Sequence, residues 1–147
     1  MRRSSCVAVC VLLLASCSDR DPAGPAIQIT GVYNLLTVNA QPLPFPLFVF
    51  GNQLYVVEQI GGTMTINANR TFVEEDVVRE RTVNENGMTV IRDTVIVFTG
   101  TWVNQDSVLT LNANDATVMF GFVSRSNRLT LSFESGDSLF TYVYRRN

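Results

Sequence analysis

Leu129-Thr130-Leu131-Ser132-Phe133 alternates large apolar side chains with small polar ones, and that alternation decides the fold. An extended strand throws successive side chains to opposite faces, so a period of two gives one face to a core and one to water. The same rhythm recurs in Leu109-Thr110-Leu111 and in Met64-Thr65-Ile66. No stretch beyond residue 26 repeats apolar residues at helical spacing over a useful length. Outward from residues 128–133, strands are expected over 32–38, 48–50, 54–60, 63–67, 71–83, 88–99, 101–104, 107–112, 117–124 and 139–145. The connectors are short and rich in Asn, Asp, Ser and Gly, as in Asn112-Ala113-Asn114-Asp115 and Ser135-Gly136-Asp137. These residue types tolerate the left-handed conformations of tight hairpins. Parallel strands would need crossover helices, and the pattern contains none. The expected fold is all-β: an antiparallel up-and-down meander closing into a β-barrel. A two-sheet β-sandwich, which the same alternation would support, is the alternative.

Two segments resist a simple strand reading. The hairpin within residues 71–99 turns near Asn86-Gly87. A two-residue turn sets Arg81 against Arg92 and Glu80 against Asp93. A four-residue loop over 84–87 sets Arg79 against Arg92. Like charges facing across a sheet are unfavourable, so neither register is clean, and a bulge or a twisted, exposed tip is expected. In Gln41-Pro42-Leu43-Pro44-Phe45-Pro46 the alternate prolines cannot donate to a ladder. With Phe45, Phe48 and Phe50 this segment is expected to lie as an apolar lid over the core.

The first 26 residues have another texture. Arg2 and Arg3 precede the apolar run Cys6–Ala15, which ends in Leu14-Ala15-Ser16-Cys17. A charged start, a short apolar middle and small residues before a fixed cleavage point make up a secretory signal. About ten apolar residues are half of what a spanning helix needs. The final four residues read as a lipobox. Residues 1–16 are then a lipoprotein signal peptide, Cys17 is the acylated first residue of the mature chain, and 17–26 (with Pro22, Gly24 and Pro25) form a flexible tether. The domain proper is 27–147. The expected location is the cell envelope, lipid-anchored, at the outer membrane facing the periplasm if the source has two membranes.

Composition narrows the chemistry. The chain has 147 residues, 11 basic and 13 acidic, and no His; it has no Lys either. Basic residues are too few and too scattered to follow a phosphate backbone, so nucleic acid is not an expected partner. All three cysteines, Cys6, Cys10 and Cys17, precede the domain. The domain therefore lacks a disulfide, a thiolate or imidazole metal site, and a Ser-His-Asp arrangement. No cofactor, metal or catalytic residue is expected.

What remains is carboxylate chemistry. Glu74, Glu75, Asp76 and Glu80 form the densest acidic cluster, and Glu74 and Asp76 share one face of a strand. They could act as a pair or hold a hard cation, but no calcium-loop spacing surrounds them. The cluster is expected to be a solvated outer face that discourages edge aggregation. A carboxylate enzyme is the least favoured reading and would need an inward-facing pair.

Gly31-Val32-Tyr33-Asn34-Leu35, then Val38-Asn39 and Leu43-Pro44, resembles the first strand and turn of small lipocalin-like domains of bacterial lipoproteins. In that pattern Val-Asn is followed by Gly, where this chain has Ala40. Thr99-Gly100-Thr101-Trp102 and Phe140-Thr141-Tyr142-Val143-Tyr144 continue the likeness. The resemblance implies a lipocalin-like barrel and brings no catalytic residue. Tyr33, Phe48, Phe50, Tyr55, Trp102 and Tyr142 are the candidate ligand-lining aromatics, although such residues more commonly fill a core. The expected function is a lipid-anchored, non-enzymatic envelope binding module holding a small apolar ligand, with the membrane as a partner through Cys17. The alternative is a structural module contacting another envelope protein through the 71–99 hairpin or a strand edge.

Overall fold

The computed structural model describes residues 27–52 and 54–147. The signal peptide, Cys17 and the tether lie outside the described residues. Ten strands follow in order: β1 (Gly31–Val38), β2 (Gln41–Pro42), β3 (Phe45–Phe50), β4 (Tyr55–Ile66), β5 (Thr71–Val83), β6 (Thr89–Gln105), β7 (Val108–Ala113), β8 (Val118–Val123), β9 (Arg128–Ser135) and β10 (Ser138–Arg146). From β4 to β10 each strand pairs antiparallel with the next. β1 then pairs with β10 on one side and, through Gly31–Asn34, with β4 on the other. That last pairing closes eight strands into an up-and-down barrel. One closed sheet rules out the sandwich.

Some of the expected strands merge, as anticipated where Gly100 only bends one long strand. Residues 54–60 and 63–67 join into β4, with a bulge between Gln59 and Gly61. Residues 88–99 and 101–104 join into β6 through Gly100. A Cβ on Gly100 would meet the Phe72 ring at 2.7 Å, so glycine there admits a close neighbour rather than ending a strand. The lid expectation holds in part: Leu43 and Phe45 pack against the core, but the segment runs as edge strands rather than a loop. β2 adds to β1, and β3 adds to the far half of β4 with a bulge at Leu47. Proline is tolerated there because β3 is an edge strand.

The β5–β6 hairpin takes a register midway between the two considered from sequence. Val83 pairs with Thr89, Glu80 with Arg92 and Arg79 with Asp93. Opposite charges now face each other, and Arg79 forms a two-pronged bridge to Asp93 with both N–O distances at 2.8 Å. Loop residues adapt to this register: the Asn84 side chain accepts from the Asn86 and Met88 amides.

The barrel has two unlike ends. At its base, where β1 begins, the β4–β5, β6–β7 and β8–β9 turns gather over a packed interior. Tyr33, Met64, Ile66, Phe72, Leu111 and Leu131 are buried there in one apolar cluster. The Trp102 indole donates to the Asn67 carbonyl at 2.9 Å and seals that end. At the mouth stand the β1–β2, β7–β8 and β9–β10 turns. β6 pairs with β7 only over residues 100–105, so its upper half leaves the wall open on one side.

Candidate functional site

Below the mouth lies a cavity of about 420 Å³. Its walls are largely apolar, with Val78, Phe98, Met119, Phe133 and Phe140 prominent, and its polar groups include Gln59, Glu74, Asp76 and Tyr142, with Asp115, Thr117, Glu134 and Ser135 toward the mouth turns. Clefts that hold small molecules span about 300–1,000 Å³ and pair an apolar lining with a few convergent polar groups.

The polar groups come from three strands. Glu74 and Asp76 are two apart on β5, so the pleat sends both inward beside Phe72 and Val78. The expectation of a solvated acidic face is corrected here: Glu74 is 4% exposed and Asp76 8%. Only Glu75, between them, faces water as expected. Glu80, two places further on, is half-buried. The hairpin register explains the difference, because it commits the even-numbered β5 residues to the interior.

Gln59 comes from β4 and is fully buried. The bulge at residue 60 turns it toward β5, where its amide nitrogen donates to Asp76 Oδ1 at 2.8 Å and to the Gly61 carbonyl at 2.6 Å. Two acceptors fix the amide orientation, and its Oε1 is left without a donor. Gly62 provides the room, since a Cβ there would lie 3.0 Å from Asp76 Oδ1. From β10, the Tyr144 hydroxyl donates to Glu74 Oε1 at 2.5 Å.

Burial without a counter-charge governs the electrostatics. The ion pair among the described residues is Arg79–Asp93, outside the barrel. Desolvation, then the Asp76 charge, pushes the Glu74 carboxyl up to about 8, against a smaller lowering by the Tyr144 hydrogen bond. Desolvation raises Asp76 to about 6, offset in part by Gln59. Burial and the two carboxylates also raise the Tyr142 and Tyr144 hydroxyls. Both carboxyls therefore hold their protons to higher pH than exposed ones do, and neither has a cationic partner among the described residues. Among the described residues no group of three or more His, Cys, Asp or Glu side chains is placed to hold a metal ion. Two carboxylates and an amide also fall short of the six to eight oxygens that calcium takes.

The aromatics singled out from sequence scatter. Tyr142 lines the cavity. Tyr33 sits in the base core, its hydroxyl donating to the Ile29 carbonyl at 2.5 Å. Trp102 seals the base. Phe48 and Phe50, 52% and 67% exposed, stack outside on the β3 edge with Tyr55 against Phe48. Only one of the six lines the space. The residues that sequence reasoning missed are Gln59 and the inward placement of Glu74 and Asp76. Gly61-Gly62 inside a strand was the available signal, since paired glycines there mark a bulge or a close approach.

The fold and this site define a closed eight-stranded antiparallel barrel with an apolar-walled, acid-floored cavity. No family model, curated protein or solved structure matches the chain.

Proposed function

We propose that this chain is a lipid-anchored, non-enzymatic binding module of the cell envelope that holds a small ligand with an apolar body in the mouth of its barrel. The observation that carries the reading is the 420 Å³ cavity walled by Phe98, Phe133, Phe140 and Met119 in a fold whose base is packed solid. An eight-stranded barrel has room for its own side chains or for one small ligand, and the mouth half of this one keeps such a space. A hydrolase using Glu74 and Asp76 is less well supported. The inward-facing pair it needs is present, but Glu74 and Asp76 lie two apart on one strand face and stand on the same side of the cavity rather than flanking a scissile bond.

Native mass spectrometry of the chain purified from its own envelope tests the binding role. The expected result is a one-to-one adduct that organic extraction removes, with Nile red then binding at the same stoichiometry. A chain that carries no adduct and takes up no dye would refute it. Palmitate labelling tests the anchor separately: label is expected on the native chain and absent from Cys17→Ala.

The second reading, contact with another envelope protein, is favoured by the free β3 edge. Phe48, Val49 and Phe50 are exposed there, and Val90 and Ile91 are exposed on the β5–β6 hairpin. Cross-linking from this edge in intact envelopes would capture one defined protein if that role holds.

A further inference from the structure

We infer that the cavity takes an amphipathic amine, its ammonium head held by Glu74, Asp76 and Gln59 and its apolar body lying along Val78, Phe98, Met119 and Phe133. This rests on the binding role proposed above and specifies which ligand head the site selects. Three observations carry it together. The first is the cavity, whose apolar wall gives an alkyl or aryl body a place out of water. The second is a pair of buried carboxylates on one strand face with no basic side chain beside them among the described residues; each has one oxygen engaged by a neutral donor, Tyr144 or Gln59. The third is the Gln59 Oε1, a fully buried acceptor with no donor among the described residues.

The inventory of acceptors selects the head. An ammonium has three N–H donors and no acceptor, which matches acceptors on three side chains. A buried charge is tolerated when paired, and an unpaired one is costly. The empty site bears that cost and a cation removes it. A carboxylate head would meet two carboxyls and an amide oxygen, all repulsive to it unless protonated. A hydroxyl head supplies one donor and leaves the charge uncompensated. A bare divalent cation would find too few oxygens and an apolar wall it cannot use.

The proton inventory gives a second readout. The groups facing Glu74 are Asp76 on its own strand, Tyr142 and Tyr144 on β10, and Asp115 from the β7–β8 loop. An alkylamine has a proton affinity near that of the Lys side chain, about 10.4, and stays charged throughout the working range. Its arrival favours the ionised form of Glu74, so binding releases a proton below about pH 8 and tightens as pH rises toward that value.

The experiment is calorimetric titration of the purified full chain with octylamine, octanol and octanoate, at pH 6 and pH 8. Octylamine is expected to bind at least tenfold more tightly than octanol, with octanoate weakest. Octylamine affinity is expected to rise severalfold from pH 6 to pH 8, with a heat that depends on the buffer's ionisation enthalpy. Glu74→Gln combined with Asp76→Asn is expected to abolish the preference for amine over alcohol while octanol still binds. Equal binding of all three would overturn the amine inference and leave the barrel as a binder of apolar chains. Binding of none would overturn both. The wild-type ratio of amine to alcohol is read without any variant, so a poorly folding mutant does not shield the inference.

Discussion

Glu74 illustrates how one buried carboxyl couples stability to pH. Its folded proton affinity lies above the ordinary glutamate value, as does that of Asp76. The native state therefore holds more protons than the unfolded chain between about pH 4 and pH 8. By linkage, unfolding free energy falls with rising pH wherever the native state holds the extra proton. The contribution is complete below the unfolded values near 4 and is lost as pH climbs through about 6 and then about 8. Each tenfold difference in proton affinity corresponds to about 1.4 kcal/mol, so the loss amounts to several kcal/mol, large against a typical total stability of about 5–15 kcal/mol. Urea midpoints of the wild type are expected to drop from pH 5 to pH 9. Those of Glu74→Gln, which keeps the shape and can still accept from Tyr144, are expected to drop much less and to exceed wild type at pH 9. Parallel curves would show that Glu74 ionises freely in the folded chain.

The first turn shows the same kind of local conflict at the scale of an element. Asn39 and Ala40 join β1 to β2 with φ of 49° and 62°, the left-handed pair that a tight two-residue turn demands. Asn tolerates that conformation; Ala pays a Cβ clash of about 1–2 kcal/mol. The Asn39 side chain also accepts from the Thr141 amide at 2.8 Å, tying the turn to β10, so the chain cannot relax elsewhere. Ala40→Gly is expected to stabilise the domain by up to about 1 kcal/mol, the relief being partly offset by glycine's freedom in the unfolded chain. A lower thermal midpoint for the variant would contradict this. Alternation made the strands and the meander legible in the sequence, because Leu129-Thr130-Leu131 and Leu109-Thr110-Leu111 can face a core in only one register. The site was not legible for the same reason inverted. Facing across β5 depends on a hairpin register that charge pairs set from the partner strand, and the Gln59 direction depends on a bulge. Both are relations between strands, and the one local trace of them is the Gly61-Gly62 pair beside the bulge.

At the scale of the whole molecule, the two unlike ends give the barrel a direction relative to its proposed anchor. β1 starts at the packed base, and the residues before it are fastened there: Arg146 donates to the Gln28 carbonyl at 3.2 Å and to the Thr30 carbonyl, and Tyr33 to that of Ile29. The cavity opens at the other end. β5 alone, with 13 residues at about 3.3 Å each, is about 40 Å long, or about 30 Å along the axis at ordinary barrel tilt. Residues 17–26 can reach at most about 35 Å when fully extended. Turning the mouth to the bilayer would therefore require nearly the whole tether stretched along the wall, at the entropic cost of ordering each residue in it. With Cys17 acylated, the base is expected to face the lipid and the mouth the aqueous side, where a ligand arrives from solution rather than from the membrane. Fluorophores placed through Asn127→Cys at the base and Met88→Cys on the hairpin tip report this in vesicles containing headgroup-nitroxide lipids. Quenching is expected to be stronger at residue 127 than at 88. The reverse order would place the exposed Phe48–Phe50 edge and the cavity mouth at the bilayer, and the ligand would then be drawn from the membrane itself.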